Sequence, residues 1–157
     1  MRPKDILTLV ICMAIAGLVA FIGSLFTSQS VNSQWYESIK PAIAPPNYVF
    51  PIVWTILFFL IGLSLYFAWV NSKKNAKKRI AIIFGINFGL NIIWSILYFG
   101  MKSVLSAFLE IFLLIASIAY MINALKKISK TSGYLLIPYL IWVCFAAVLT
   151  YLSLLKA

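Results

Sequence analysis

Residues 80–99 read IAIIFGINFGLNIIWSILYF, a run of twenty without a charge, entered from Lys77-Lys78-Arg79 and left through Gly100. About twenty apolar residues, rising about 1.5 Å each in a helix, cross the hydrocarbon of a bilayer. The run is too long for a strand and lacks the alternation of a membrane barrel. Its polar residues are not scattered. Asn87, Asn91, Trp94, Ser95 and Tyr98 recur at i, i+4, i+7, i+8 and i+11, one stripe at the helical period. Amides facing hydrocarbon are costly, so the stripe is predicted to point into a bundle. Gly85 and Gly89 each precede an asparagine by two residues. Two residues turn a helix by about 200°, so the glycines face nearly the opposite way.

Outward from this stretch, residues 6–26, 49–70, 104–125 and 134–155 have the same character. The fold class that follows is an all-α membrane protein, a five-transmembrane-helix bundle, with residues 1–157 as one domain. Composition agrees: hydrophobic residues make up 64% and charged residues 10%, against about 45–50% and 25% in soluble domains. The first stretch follows Arg2 and Lys4, as a signal peptide would. It is longer than the roughly 7–15 residues of a signal core, with no small-x-small cleavage site before a soluble domain, so a retained helix is expected.

The connections set the orientation. Arg2, Lys4, Lys73, Lys74, Lys77, Lys78, Arg79, Lys126, Lys127 and Lys130 fall on one side, ten in all, and Lys40, Lys102 and Lys156 on the other. The positive-inside rule places the N-terminus in the cytoplasm and the C-terminus outside. The net charge of +10 is thereby read as topology, and no nucleic acid partner is expected.

The chain has no histidine, which excludes Ser–His and Cys–His catalytic pairs and most zinc sites. Its acids are Asp5, Glu37 and Glu110 alone, too few for a carboxylate metal site, and no metal is expected. Cys12 and Cys144 lie in separate apolar runs and are expected to be small buried hydrophobes.

The connection 27–48 is longer than the others and carries Trp35, Tyr36, Pro41, Pro45 and Pro46. It is either an interfacial anchor or a lid over a space between the helices, non-helical near Pro45-Pro46. Beneath it converge Trp54, Asn91, Glu110 and Trp142, the last sharing a face with Pro138, Phe145 and Leu149. These residues line either a pocket for a flat, mostly apolar ligand or a filled core. For Asn87 the core is favoured. Glu110 is either protonated or paired with an asparagine or tryptophan N–H, and a structural role is favoured over a catalytic one. Gly85-x-x-x-Gly89, and Ala16, Ala20 and Ser24 at spacing four, are each an internal packing seam or a dimer face.

Trp35-Tyr36, Lys40-Pro41, Pro45-Pro46 and Trp54-Thr55 together resemble the first loop and second helix of the TspO/MBR family, which includes translocator proteins (peripheral-type benzodiazepine receptors) and bacterial tryptophan-rich sensory proteins. Leu90-Asn91-x-x-Trp94-Ser95 with Tyr98-Phe99, and Leu135-Leu136-x-Pro138-Tyr139-x-x-Trp142-x-x-Phe145-Ala146, extend the likeness over nearly the whole chain. The resemblance implies a homodimer that binds porphyrins and ligands of the isoquinoline carboxamide and benzodiazepine types under the first loop, with sensing, sequestration or transport downstream. It supplies a candidate binding set: Trp35, Tyr36, Pro41, Pro45, Pro46, Trp54, Phe58, Asn91, Trp94, Ser95, Tyr98, Glu110, Trp142, Phe145 and Ala146. It also favours Gly85 and Gly89 as a dimer face.

For some bacterial members the resemblance implies light-dependent breakdown of protoporphyrin. Trp54 and Trp142 are then the oxidisable candidates, and the chemistry belongs to ligand, light and oxygen. Whether the chain is an enzyme stays open. Porphyrin is expected as a ligand, with no obligatory cofactor. Leu149-x-Tyr151 with Lys156 fits only a loose sterol pattern. The basic 71–79 connection suggests a bacterial cytoplasmic membrane, so cholesterol is not expected. A transporter is a weaker alternative, since no inverted repeat or interrupted helix pair is visible. A structural partner of a larger membrane complex is another.

Overall fold

The computed structural model describes residues 3–157; Arg2, counted above among the basic residues, lies outside them. The elements in order are α1 (Pro3–Ser30), α2 (Gln34–Ile39), α3 (Val49–Asn71), a 3-10 turn (Lys74–Ala76), α4 (Lys77–Ser95), a π turn continuing α4 (Ile96–Gly100), α5 (Val104–Lys126), α6 (Lys130–Leu135) and α7 (Ile137–Leu154). Five spans long and apolar enough to cross a membrane result: α1, α3, α4 with its π turn, α5, and α6 with α7. The expected five-helix bundle is present.

Two boundaries differ from the sequence expectation. Helix α1 runs on to Ser30 rather than stopping near residue 26. The polar residues that end the hydropathy signal are accommodated locally: Thr27 Oγ1 donates to the Gly23 carbonyl at 3.2 Å and Ser30 Oγ to the Phe99 carbonyl at 3.0 Å. The last span starts at Lys130 and breaks at Leu136. Pro138 sits in the first turn of α7 and has no N–H to give the preceding turn, so α6 and α7 cannot be one regular helix. Residues 45–46 are non-helical as expected.

Helix α3 packs between α1 and α6; α5 packs on α6, α7 and α4; α4 closes the ring against α1. At the basic end the ring is tight. Ser64 Oγ donates to the Ser132 carbonyl and Ser132 Oγ to the Ser64 carbonyl, both at 2.8 Å, clasping α3 to α6. Gly133 presses on α5: a Cβ there would run into Lys126 Cγ and stand 3.0 Å from the Ile122 carbonyl oxygen. Phe84, Ile118, Met121 and Leu125 fill this half completely. Helix packing in lipid gains little from apolar burial alone, so small residues and paired hydroxyls are what draw these backbones together.

Helices α3 and α7 have few close backbone approaches and meet through rings instead, Phe50 with Trp142 at 6.1 Å and Trp54 with Tyr139 at 6.2 Å. The space between them and α1 and α4 lies beneath the first loop. The outer surface of the bundle is apolar, with Leu18, Phe21, Phe112, Leu113 and Ile141 exposed to the bilayer. Cys12 is buried as expected, but Cys144 is exposed on this lipid-facing surface. A weakly polar thiol is tolerated in hydrocarbon, so an apolar run does not reveal which way it points.

Candidate ligand-binding cavity

A cavity of about 630 Å³ lies under the first loop, between α1, α3, α4 and α7. Helix α5 contributes no residue to its wall. The size falls within the range of about 300–1,000 Å³ usual for small-molecule sites. Each bounding element supplies a different kind of surface. Helix α1 contributes small residues, Ala20, Gly23 and Thr27, which leave the space that larger side chains would fill. Helix α3 contributes Trp54 and Phe58, whose rings lie 5.7 Å apart. Helix α7 contributes Trp142, Ala146 and Leu149.

Helix α4 brings the polar stripe. Asn87, Asn91, Ser95 and Tyr98 are all buried, and Trp94 is half-buried, while Gly85 is exposed and Gly89 half-exposed on the other side. The stripe divides by depth. Asn91 Nδ2 donates to the Tyr139 hydroxyl at 3.1 Å, and that hydroxyl donates to Asn87 Oδ1 at 3.3 Å. Asn87 Nδ2 donates to Ser117 Oγ at 2.8 Å, and Ser117 Oγ to the Leu114 carbonyl at 2.7 Å. One directed chain of hydrogen bonds thus links α4, α7 and α5. Asn87 is a core residue. Asn91 ends the chain on the cavity wall, its N–H committed to Tyr139 and its carbonyl left as an acceptor.

At its far end α4 widens into the π turn, closed by Met101 N–H donating to the Ile96 carbonyl at 2.7 Å. Tyr98 and Phe99 on this turn are both buried, and Tyr98 donates to Ser153 Oγ at 2.8 Å. The short helix α2 docks here. Trp35 meets the Tyr98 ring edge-on at 5.9 Å, and Tyr36 packs on Phe99 at 5.8 Å. Burial first, then the neighbouring Tyr98 and Glu37, hold the Tyr36 phenol above the ordinary tyrosine range, so it stays neutral. Beyond α2, the two N–H donors of the Asn47 amide are shared among the Val31 carbonyl at 3.0 Å, Asn32 Oδ1 at 3.1 Å and Glu37 Oε1 at 3.2 Å. Lys40 Nζ donates to Asn47 Oδ1 at 2.6 Å. The first loop is therefore a folded cover, and Tyr36, Pro41 and Asn47 form part of the wall.

Of the candidate binding residues, Tyr36, Pro41, Trp54, Phe58, Asn91, Trp94, Ser95, Tyr98, Trp142 and Ala146 line this one cavity. Trp35, Pro45, Pro46, Glu110 and Phe145 do not. Trp35 instead supports the cover from behind, between Tyr98 and the Lys102 ammonium 5.6 Å from its ring. Phe145 and Pro138 face a shallow apolar groove on the lipid side of the α3–α7 seam, which Trp142 also borders. The shared face of α7 is thereby split: Leu149 turns to the cavity, Pro138 and Phe145 to lipid. Glu110 is buried on α5, and among the described residues neither carboxyl oxygen has a partner; the Trp94 indole N–H is likewise unpartnered among them. Of the two alternatives for Glu110, protonation or pairing with an asparagine or tryptophan N–H, the pairing is not formed: the Asn87 and Asn91 amides donate to Ser117 and Tyr139, and the Trp94 N–H does not reach the carboxyl.

Sequence reasoning missed the α1 wall, the Asn47 hub and Tyr139. The signals were present but weak: Ala20, Gly23 and Thr27 follow helical spacing on one face, and Asn47 directly follows the Pro45-Pro46 pair.

Residues 9–155 match the TspO/MBR family. Among curated relatives, the chain is 38% identical to tryptophan-rich protein TspO of Chlorobaculum tepidum over 149 residues, covering 94% of each chain. It is 40% identical to tryptophan-rich protein TspO of Archaeoglobus fulgidus over 148 residues, covering 94% of this chain and 95% of the relative. It is 29% identical to the translocator protein of Ovis aries over 141 residues, covering 85% of this chain and 83% of the relative.

Proposed function

The chain belongs to the TspO/MBR family of membrane proteins, and on that footing we propose that its cavity binds protoporphyrin-like tetrapyrroles and benzodiazepine-receptor-type ligands. Sensing, sequestration or transport follows from that binding. The observation that carries the reading is the wall itself: Trp54, Phe58, Trp94, Tyr98 and Trp142 converge from three spans around about 630 Å³. Flat aromatic ligands gain about 0.5–1.5 kcal/mol from each well-placed ring beyond simple burial. The polar groups are few, and the Asn91 carbonyl suits a pyrrole or amide N–H. The names of two kinds of relative, tryptophan-rich TspO and translocator protein, accord with such a role.

The test is a dark titration of purified protein with protoporphyrin, followed by tryptophan quenching, beside Trp54→Phe, Trp142→Phe and Asn91→Leu variants checked for folding. Saturable binding weakened in all three supports the site. Binding that is absent, or equal in every variant, contradicts it.

A second reading rests on a specific observation: of the three indoles that line the cavity, Trp94 among them, two, Trp54 and Trp142, stand on its α3 and α7 sides. A bound porphyrin excited by light transfers its energy to dioxygen, and the activated oxygen adds across a porphyrin methine bond or an adjacent indole. The protein's part is to hold sensitiser and indole together.

The assembly we propose is a homodimer through the face bearing Gly85 and Gly89, where a Cβ would meet nothing within 4 Å and backbones could approach closely. The membrane is proposed as the bacterial cytoplasmic membrane, with the basic end inside.

A further inference from the structure

The basic end of the bundle carries nine of the described cations, Lys4, Lys73, Lys74, Lys77, Lys78, Arg79, Lys126, Lys127 and Lys130, and one acid, Asp5. Topology requires positive charge at this end but not a fixed place for it. Three of these side chains are nevertheless held in place, each against an aromatic ring of an adjacent element. Arg79 Nη2 donates to the Tyr120 hydroxyl at 2.9 Å, across the groove between α4 and α5. Lys126 Nζ lies 4.7 Å from the centre of the Tyr134 ring, between α5 and α6. Lys77 Nζ lies 5.1 Å from the centre of the Trp69 ring, between α3 and α4.

The placement is lateral. Tyr120 and Tyr134 are exposed on the lipid-facing side of the bundle. Trp69, Tyr120 and Tyr134 stand two, six and four residues from Asn71, Lys126 and Lys130, the ends of their helices, or about 3, 9 and 6 Å at 1.5 Å per residue. That is headgroup depth, where aromatic rings with a polar tip settle. A soluble acidic partner would meet the flat end of the bundle. A group approaching these cations from the side, at this depth, comes from within the membrane. Arg79 uses one of its five N–H donors on Tyr120 and no other on a described residue, which leaves the rest of the guanidinium fork to meet a phosphate.

We propose that these grooves, above all Arg79–Tyr120 and Lys126–Tyr134, are binding sites for the phosphodiester headgroup of an anionic phospholipid, whose acyl chains lie along the exposed apolar residues of α5 and α7, Leu113 and Ile141 among them. The anion meets a cation already oriented by an aromatic neighbour, so little side-chain freedom is lost on binding. This site is separate from the cavity and does not depend on its occupant.

The test uses the full chain in phosphatidylcholine bilayers with spin-labelled phosphatidylglycerol or spin-labelled phosphatidylcholine, reading the fraction of each immobilised on the protein. Each basic residue near a membrane surface contributes about fivefold in affinity for anionic lipid. Preferential immobilisation of phosphatidylglycerol is expected. The double variant Arg79→Gln/Lys126→Gln should bring the two lipids close to parity, whereas Lys102→Gln/Lys156→Gln, which removes the same charge at the opposite end, should leave the preference intact. Arg79→Lys, which keeps charge but loses the fork, should fall between. Equal immobilisation of both lipids by the native protein overturns the proposal. So does an equal loss in both double variants, which would make the effect one of net charge. Displacement by soluble glycerophosphoglycerol at the same concentration overturns it too, since the acyl chains would then contribute nothing.

Discussion

Asn91 donates its side-chain N–H to the hydroxyl of Tyr139 at 3.1 Å, and only Asn91 of the two reaches the cavity. Tyr139 is completely buried and passes the hydrogen-bond chain inward to Asn87. The pair therefore separates what holds the bundle together from what a ligand would touch. Asn91→Leu removes both functions; Tyr139→Phe removes only the first. Hydrogen bonds between membrane helices average about 0.6 kcal/mol and reach about 1.7. Both variants are expected to lose stability in that range, by thermal unfolding in detergent. Only Asn91→Leu should also weaken protoporphyrin binding, by about fivefold or more on the scale of a lost polar contact. Equal binding losses would place Tyr139 in the site as well.

Two of the three indoles on the wall, Trp54 and Trp142, give a prediction about light. Trp54 and Trp142 line the cavity, whereas Trp69 stands at the basic end beside Lys77. Under illumination in air, bound protoporphyrin should disappear more slowly in Trp54→Phe and Trp142→Phe than in Trp69→Phe. Mass spectrometry should find oxygen added at Trp54 or Trp142 and not at Trp69. Uniform oxidation of all three would mean a diffusing oxidant and no bound geometry.

The glycines divide by what they face. A Cβ at Gly62 would stand 2.7 Å from Met13 Sδ and 3.4 Å from the Ala16 Cβ, so this glycine, with Ala16, forms the internal seam of α1 and α3. Gly85 and Gly89 have open space. Gly62→Val is expected to lower thermal stability by about 1–3 kcal/mol through overpacking. Gly85→Val/Gly89→Val should leave the subunit's stability nearly unchanged and shift the protein from dimer to monomer, as read by light scattering with detergent correction. A dimer that survives the double change would move the interface elsewhere.

Within the cover over the cavity one side chain makes most of the polar ties: Asn47 holds Val31, Asn32, Glu37 and Lys40 together. Asn47→Ala is expected to raise hydrogen exchange across 31–48 without changing exchange in α5, and to speed ligand dissociation more than it slows association. Lys156 Nζ, which donates to the Lys40 carbonyl at 2.7 Å, is exposed, and Lys156→Ala should have a smaller effect on the same readouts.

Much of this was legible in the sequence because hydrocarbon imposes simple rules. Apolar runs, charged only at Glu110, marked out the five spans, and the stripe from Asn87 to Tyr98 revealed the inner face of α4 because amides are not left in lipid. The same rules failed where polarity is satisfied locally. Thr27 and Ser30 bond to carbonyls, so α1 outlasts its hydropathy signal. Cys144 tolerates lipid, so its run hid its direction. Glu110 was expected in the site because it is acidic and at the right depth, yet it lies on α5, which gives nothing to the wall. Depth is readable from residue count; rotation about the helix axis, for a helix apolar all round, is not. The Ser64–Ser132 clasp and the break at Leu136 relate distant segments in a way that no local pattern carries.

The central claim is that a ligand occupies the space under the first loop, and filling that space tests it most directly. Ala146 lines the cavity, while Val148, two residues on in α7, is exposed to lipid. Dark titration with protoporphyrin should give saturable binding in the native protein and in Val148→Phe, and loss of binding in Ala146→Phe with its helical content and unfolding temperature retained. Undiminished binding by Ala146→Phe would contradict the account, since the porphyrin would then sit on the apolar exterior or in the detergent and the cavity would have no part in holding it.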